Sequence, residues 1–250
     1  MSVFEKQPAE PQSALAEAAG LRWLGEASKA VVRVEHADAT RICTEGVQIV
    51  SADPQAARQA GVELARIHAA GADAYGCPPP GWDGPNYIGT QQQSCIPTSD
   101  WNSFYIEQRV LPFVKAAKDR GNLRSTARIE RACALIQQSP ELAPQQPARI
   151  HGDLWAGNLL FGAQGPKFID PAAHGGHPLT DLAMLELFGA PYLKEIWVGY
   201  REHNDLDALD ASLIPIHQLH PVAVHAVTHG PAYGDHLEQL AQATIALLGG

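Results

Sequence analysis

Over roughly the first fifty residues, apolar and polar side chains alternate or run in short blocks; beyond them they recur mostly at helical spacing. Val3-Phe4-Glu5-Lys6 has the two-residue period of a strand. Behind it Leu15, Ala18, Ala19 and Leu21 fall on one face of a helix over residues 14–27, with Ser13 placed to cap it. Apolar blocks over 31–34 and 40–50 predict two further strands. From 54 to 70 the period lengthens, and Ala57, Ala60, Leu64, Ile67 and His68 line the buried face of a helix. Amphipathic helices are predicted over 100–118 and 125–138, and another over 179–188. Leu159-Leu160-Phe161 and Lys167-Phe168-Ile169 flank Gly162-Ala163-Gln164-Gly165-Pro166, whose Gly and Pro content is turn chemistry, so a hairpin is expected there. The Pro-rich patches at 78–80 and 140–147 read as loops. The pattern predicts an α+β chain with a small lobe over 1–50 and a mostly helical large lobe over 51–250.

Composition narrows the class. The chain has 250 residues, 45% of them hydrophobic, enough for a substantial core. A net charge of -9, spread along the chain, argues against a nucleic-acid partner, which needs a basic face, and suits a small polar substrate. Cys43, Cys77, Cys95 and Cys133 form no C-x-x-C pair and read as free thiols of a reducing compartment. No run approaches the ~18 apolar residues of a membrane span. The N-terminus lacks a basic-then-apolar signal, so a cytoplasmic protein without a membrane partner is expected.

The candidate chemistry lies in His151-Gly152-Asp153-Leu154-Trp155-Ala156-Gly157-Asn158, followed by Phe168-Ile169-Asp170. A carboxylate, an amide five residues on and a second carboxylate behind a strand-like run are what Mg2+-dependent phosphoryl transfer to a hydroxyl requires. The attacking hydroxyl must be oriented and lose its proton, which assigns Asp153 as catalytic base. Magnesium takes hard oxygen ligands from a few protein groups and keeps several waters, which assigns Asn158 and Asp170 as its ligands. The predicted hairpin would bring those two side by side.

Residues 151–190 resemble the fructosamine kinase (ketosamine 3-kinase) family, a branch of the aminoglycoside phosphotransferase-like kinases. The resemblance rests on His151-Gly152-Asp153-Leu154-Trp155 with Gly157-Asn158, on Ile169-Asp170-Pro171-Ala172 in place of the protein-kinase D-F-G, and on the run from Asp181 to Gly189. Glu17 to Leu21, Asn86 to Gly89, Asp100 to Phe104, His217 to Pro221 and Gly230 to Gly234 extend it over almost the whole chain. It implies a protein-kinase-like two-lobed fold and ATP-dependent phosphorylation of the sugar hydroxyl of a ketoamine, small or protein-bound. The product is the labile form in that family, so a deglycation-type repair role is implied, with ATP and Mg2+ as cofactors.

The resemblance also gives roles to single residues. Lys6 would hold the α- and β-phosphates and Glu17 would hold Lys6. Thr44 to Val47, with Thr44, Glu45 and Val47 as the contacts, would be the hinge whose backbone meets adenine. Asp181 would fix the catalytic loop through backbone amides, and His151 would brace that loop. Trp155 would pack on the sugar or the amine substituent, with a core position as the alternative. His217, His220, His225 and His229 suggest a metal by their spacing, but nothing nearby closes such a site. With Tyr233 they would line the lower wall of the acceptor pocket or pack between helices. Pro178-Leu179 departs from the polar pair many relatives carry, which removes an expected substrate contact.

One departure bears on activity. Such kinases carry a strand, a Gly-rich turn and a strand ahead of the lysine to cover the phosphates. Here the lysine is residue 6, so a truncated small lobe with an open sheet edge is expected. A misassigned start, a weak truncated enzyme and a catalytically silent ligand-binding homologue remain alternatives. So does a kinase for another small hydroxylated amine, such as an aminoglycoside or a choline-like compound. The chain is expected to be a monomer or a dimer.

Overall fold

The computed structural model describes residues 2–144, 146–203 and 209–249. A three-stranded antiparallel sheet opens the chain, in the order β1 (Val3–Lys6), β3 (Ile42–Glu45), β2 (Val34–Ala37), with Lys6 opposite Ile42. Helix α1 (Ser13–Gly25) lies between β1 and β2 in sequence and buries Ala14, Ala18, Leu21 and Leu24. Ser13 does not cap it. Gln12 is the N-cap, in a left-handed conformation, and Ser13 is already helical.

The strand expected over 31–34 is displaced, and the reason is the predicted hairpin. Its strands are β7 (Leu159–Gly162) and β8 (Gly165–Phe168), closed by a turn tighter than the expected five residues. Along the β8 edge, the Val32 amide donates to Phe168 O and the Phe168 amide to Ala30 O. Along the β7 edge, the Val50 amide donates to Phe161 O and the Ala163 amide to Gln48 O. The Ala30 carbonyl and the Val32 amide are therefore spent on the hairpin, and β2 begins only at Val34. The block expected over 40–50 splits the same way, with β3 ending at Glu45 and 48–50 turned to the hairpin. Backbone groups need partners, and here a segment from the other lobe supplies them.

The mostly helical part of the chain follows with α2 (Pro54–Ala69), whose N-cap Asp53 accepts from the Ala56 amide at 2.8 Å. It crosses α7 (Leu193–His203) so closely that a Cβ on Gly199 would run into the Arg58 carbonyl oxygen, and one on Gly61 into that of Ile196. Gly199→Ala should therefore cost about 3 kcal/mol, the upper end of overpacking, since backbone rather than a movable side chain is in the way. Urea unfolding would read this, and an unchanged midpoint would show that the two helices slide apart freely.

The helix expected over 100–118 is interrupted. Trp101–Ser103 (α3) runs into a π-helical segment, Phe104–Val110, before α4 (Leu111–Asp119). The i→i+5 bonding of such segments is unfavourable and marks a local demand; Arg109 within it is 1% exposed. With α5 (Ala127–Gln137), α8 (Ile214–His229) and α9 (Pro231–Leu247), this segment encloses one apolar core. A second core joins α1 and α2 to the β7–β8 hairpin, α6 (Leu179–Leu187) and α7.

Two short pairs position the site. β4 (Asn86–Ile88) pairs with β5 (Gln91–Gln93), and β6 (Ala148–Ile150) pairs antiparallel with β9 (His174–Gly176). The β6–β9 pair brackets everything between it, namely the loop 151–158, the hairpin and Asp170. Among the described residues no helix is long and apolar enough to cross a membrane.

Candidate active site

The loop after β6 is held from below by one carboxylate. Asp181, in the first turn of α6 and wholly buried, accepts the His151 amide at 2.7 Å and the Gly152 amide at 2.9 Å. His68 Nε2 donates to it at 3.0 Å, and the Tyr200 hydroxyl lies 2.7 Å from His68 Nδ1. Burial works against this charge, but the His68 bond and charge, with His151 and the Gly152 amide, hold the Asp181 pKa below the usual carboxylate value. Gly152 is required by its backbone. Its φ is +79°, and a Cβ there would strike the Ala172 carbonyl oxygen. His151 takes the Asp153 amide on Nδ1 at 3.3 Å and reaches Ile169 O from Nε2 at 2.8 Å. That pairing makes Nε2 the protonated nitrogen and ties the loop to the strand leading into Asp170.

Above this base the charged groups converge. The Asn158 amide nitrogen donates to Asp153 O at 2.7 Å, and is 3.5 Å from Asp153 Oδ2 and 3.4 Å from Asp170 O. Its Oδ1 takes no protein hydrogen bond among the described residues. Asp170 has a φ of +54°, uncommon outside glycine, and its Oδ1 lies 3.0 Å from Lys6 Nζ. Lys6 Nζ also meets Glu17 Oε2 at 2.7 Å. Burial opposes the Lys6 charge, yet Glu17 and Asp170 hold its pKa above the ordinary lysine value. Burial pushes Glu17 up to about 7 against the pull of Lys6. Asp153 is pushed up to about 8, first by burial and then by the charges of Asp170 and Asp181.

Of the residues singled out from sequence, Lys6, Glu17, Asp153, Trp155, Asn158 and Asp170 line one cavity of about 240 Å³. Trp155 is 44% exposed, so the core alternative for it does not hold. Glu45 and Val47 line a separate cleft of about 260 Å³ between the 45–48 segment and the hairpin turn, while Thr44 is buried in β3. Glu45 Oε1 takes Lys167 Nζ at 2.5 Å and its amide donates to Arg33 O. Tyr233 stands outside the cavity, its ring 5.0 Å from that of His225. His225 in turn packs on Phe188, and Phe188 on Trp155. His217 and His220 are buried. Among the described residues no cluster of three His, Cys, Asp or Glu side chains forms a metal site.

Size alone would mislead, because a larger cleft of about 740 Å³ beside the C-terminal end of α1 contains none of Lys6, Asp153, Asn158 and Asp170. Asn86, in the 86–89 run that extends the resemblance, is in β4 and in the cavity wall. Arg109 and His174, behind the cavity, were missed. The first was legible as a charge on the apolar face of Tyr105, Ile106 and Val110, and the second as a histidine before two glycines just past Asp170.

The sequence profile of the fructosamine kinase family matches residues 5–247. A probable ketoamine kinase of Enterococcus faecium is 32% identical over 158 residues, 62% of this chain, and the match spans 57% of the length of that relative. The crystal structure of a candidate fructosamine-3-kinase from Thermobifida fusca superposes with a TM-score of 0.89 at 39% identity, over 98% of this chain and 85% of the other. A choline kinase of Streptococcus pneumoniae superposes with a TM-score of 0.62 at 14% identity, over 98% of this chain and 86% of the other, which shows the shared kinase-like fold alone.

Proposed function

The chain belongs to the fructosamine kinase family, and from that membership and the Asp153 site we propose that it transfers the γ-phosphoryl group of ATP to a sugar hydroxyl of a ketoamine. The observation that carries this reading is the meeting of Asp153, Asn158, Asp170 and the Lys6–Glu17 pair round one cavity. The acceptor hydroxyl is oriented by the Asp153 carboxylate and gives up its proton to it as the new O–P bond forms. The bond from the γ-phosphorus to the β–γ bridging oxygen breaks, and ADP leaves. Lys6, fixed by Glu17, sits against the phosphates as a point charge.

Asn158 and Asp170 suit a magnesium ion: both offer hard oxygen atoms, and Asn158 Oδ1 has no competing protein partner. When bound, the metal neutralises charge on the transferring phosphoryl group. In the small lobe, residues 1–50, the Val47 amide donates no protein hydrogen bond among the described residues and is the donor for adenine. In the large lobe, residues 51–250, the exposed face of Trp155 stacks on the acceptor, with Phe188, His225 and Tyr233 continuing the wall. Phosphorylation there would mark a glycated amine for release of its sugar.

The test is ADP release by the purified chain with Mg-ATP and a fructosyl amine, beside choline and an aminoglycoside at the same concentration. Release that depends on the ketoamine is expected. Turnover of choline or the aminoglycoside in its place would move the acceptor assignment elsewhere.

A further inference from the structure

Asp170 holds a left-handed backbone conformation, which costs a non-glycine residue of order 1–3 kcal/mol and persists only where the surroundings impose it. On its N-terminal side the Ile169 amide donates to Asn158 O, and Asn158 Nδ2 lies 3.4 Å from the carbonyl of Asp170 itself. The two carbonyls that follow Pro171 are each taken by a buried side chain. His174 Nδ1 lies 2.7 Å from Ala172 O, and Asn86 Nδ2 donates to Ala173 O at 3.1 Å. Both side chains are in turn oriented by others. Gln93 Nε2 donates to Asn86 Oδ1 at 3.3 Å, which leaves the Asn86 nitrogen for Ala173. Arg109 Nε lies 3.4 Å from His174 Nε2. A guanidinium can only donate, so Nε2 must accept and the His174 proton must sit on Nδ1, where it meets Ala172 O.

Arg109 is 1% exposed, forms no ion pair with a carboxylate among the described residues, and is otherwise spent on Ser94 O at 2.6 Å, Gln108 O at 3.1 Å, Cys95 Sγ at 3.9 Å and the face of Phe104. Burying a charge without a carboxylate partner is costly. The π-helical segment that aims it inward is unfavourable as well. Neither is needed to fill a core, since an aliphatic side chain in a regular helix would do that more cheaply.

We infer that Asn86, His174 and Arg109 form a cradle of positioning residues that holds the Ala172 and Ala173 carbonyls and so sets where the Asp170 carboxylate stands for a divalent cation. The inference rests on the proposed role of Asp170 and goes beyond it, because it concerns the groups behind the metal ligands: His174 and Arg109 stand outside the cavity, and Asn86, which is part of its wall, acts here through its bond to Ala173 O. Gly152 joins the cradle to the loop of Asp153, as its α-carbon packs against Ala172 O and the His174 ring. One set of contacts thus fixes both carboxylates relative to each other.

The test titrates Mn2+ into the ADP-saturated protein by calorimetry, a binding readout independent of turnover, with Asn86→Ala, His174→Asn and His174→Gln beside the wild type. Outer partners of metal ligands typically govern about 10- to 100-fold in affinity. Asn86→Ala and His174→Gln should weaken Mn2+ by about 10-fold, at the low end of that span. His174→Asn keeps a donor at the δ position and should stay within about twofold. Wild-type affinity in Asn86→Ala and His174→Gln, or equal loss in both His174 variants, would overturn the cradle while leaving the proposed function standing. A wild type that binds no Mn2+ with ADP would overturn the metal role of Asp170 and the cradle with it. Should the His174 variants not fold, Asn86→Ala decides alone, because it leaves the buried His174–Arg109 pair intact.

Discussion

Asp153→Asn should lower kcat by about 100- to 10,000-fold, the span a positioned acid–base group usually supplies, with nucleotide affinity nearly unchanged. The asparagine has the shape of the carboxylate but cannot take the acceptor proton. The loop keeps its form, because Asn158 binds the backbone oxygen of residue 153 and Asp181 binds the amides of 151 and 152. Burial, followed by the charges of Asp170 and Asp181, pushes Asp153 up to about 8. Turnover requires the ionised form, so kcat/KM should rise with pH through that raised value. A divalent cation beside the same carboxylates favours their ionised forms, so the rising limb should move to lower pH as Mg2+ is increased. Steady-state rates across pH at two Mg2+ concentrations check both points. More than about a tenth of wild-type kcat in the variant would remove Asp153 from the role of base, since it would fall outside the usual range for such groups.

The hairpin, and the meeting of Asp153, Asn158 and Asp170 round one cavity, were legible because the proposed chemistry dictates residue types at near-fixed spacing: few alternatives exist once a hydroxyl and a phosphate must meet. Helix α2 was legible because a buried face from Ala57 to His68 repeats at helical spacing over about three turns. What failed depended on partners distant in sequence. Val31 and Val32 have the composition of a strand, but the Val32 amide and the Ala30 carbonyl pair with Phe168, far along the chain, and periodicity carries no information about that. The stretch 104–110 reads as ordinary helix because a π-helical turn differs by one residue in its bonding, and the partner that Arg109 meets from it, His174, lies in another element. Gly61 and Gly199 look like weak points of two helices, and only the crossing of α2 and α7 shows that each admits the other's backbone. The charge pair of Lys6 and Glu17 stood between these cases: order along the chain suggested it, and the 2.7 Å contact is a matter of how α1 packs on the sheet.

Asp181→Asn should be the most damaging single change to stability, about 3–5 kcal/mol, the usual loss when one partner of a buried charged network is removed. Asp181 accepts from His68, from the His151 amide and from the Gly152 amide, and is itself fully buried. An asparagine offers one accepting oxygen, and its NH2 group would face a donor it cannot satisfy. The loss should appear as a lower urea midpoint at pH 7 with the slope unchanged. Its pH dependence separates it from the histidines. The folded-state pKa of Asp181 is depressed, so its contribution is present above the unfolded carboxylate value near 3.9 and is lost only as pH falls through the lower folded value. His151, His174, His177, His217 and His220 are depressed by burial, so the unfolded chain gains protons first and wild-type stability should begin to fall below about 6.5. Between pH 7 and 4.5 Asp181 stays ionised, so the gap between wild type and variant should persist, and widen somewhat because the variant also loses the Asp181 charge that opposes the depression of His151. A gap that closes already near pH 6 would mean that the interaction removed was a titrating histidine charge rather than the carboxylate holding the catalytic loop.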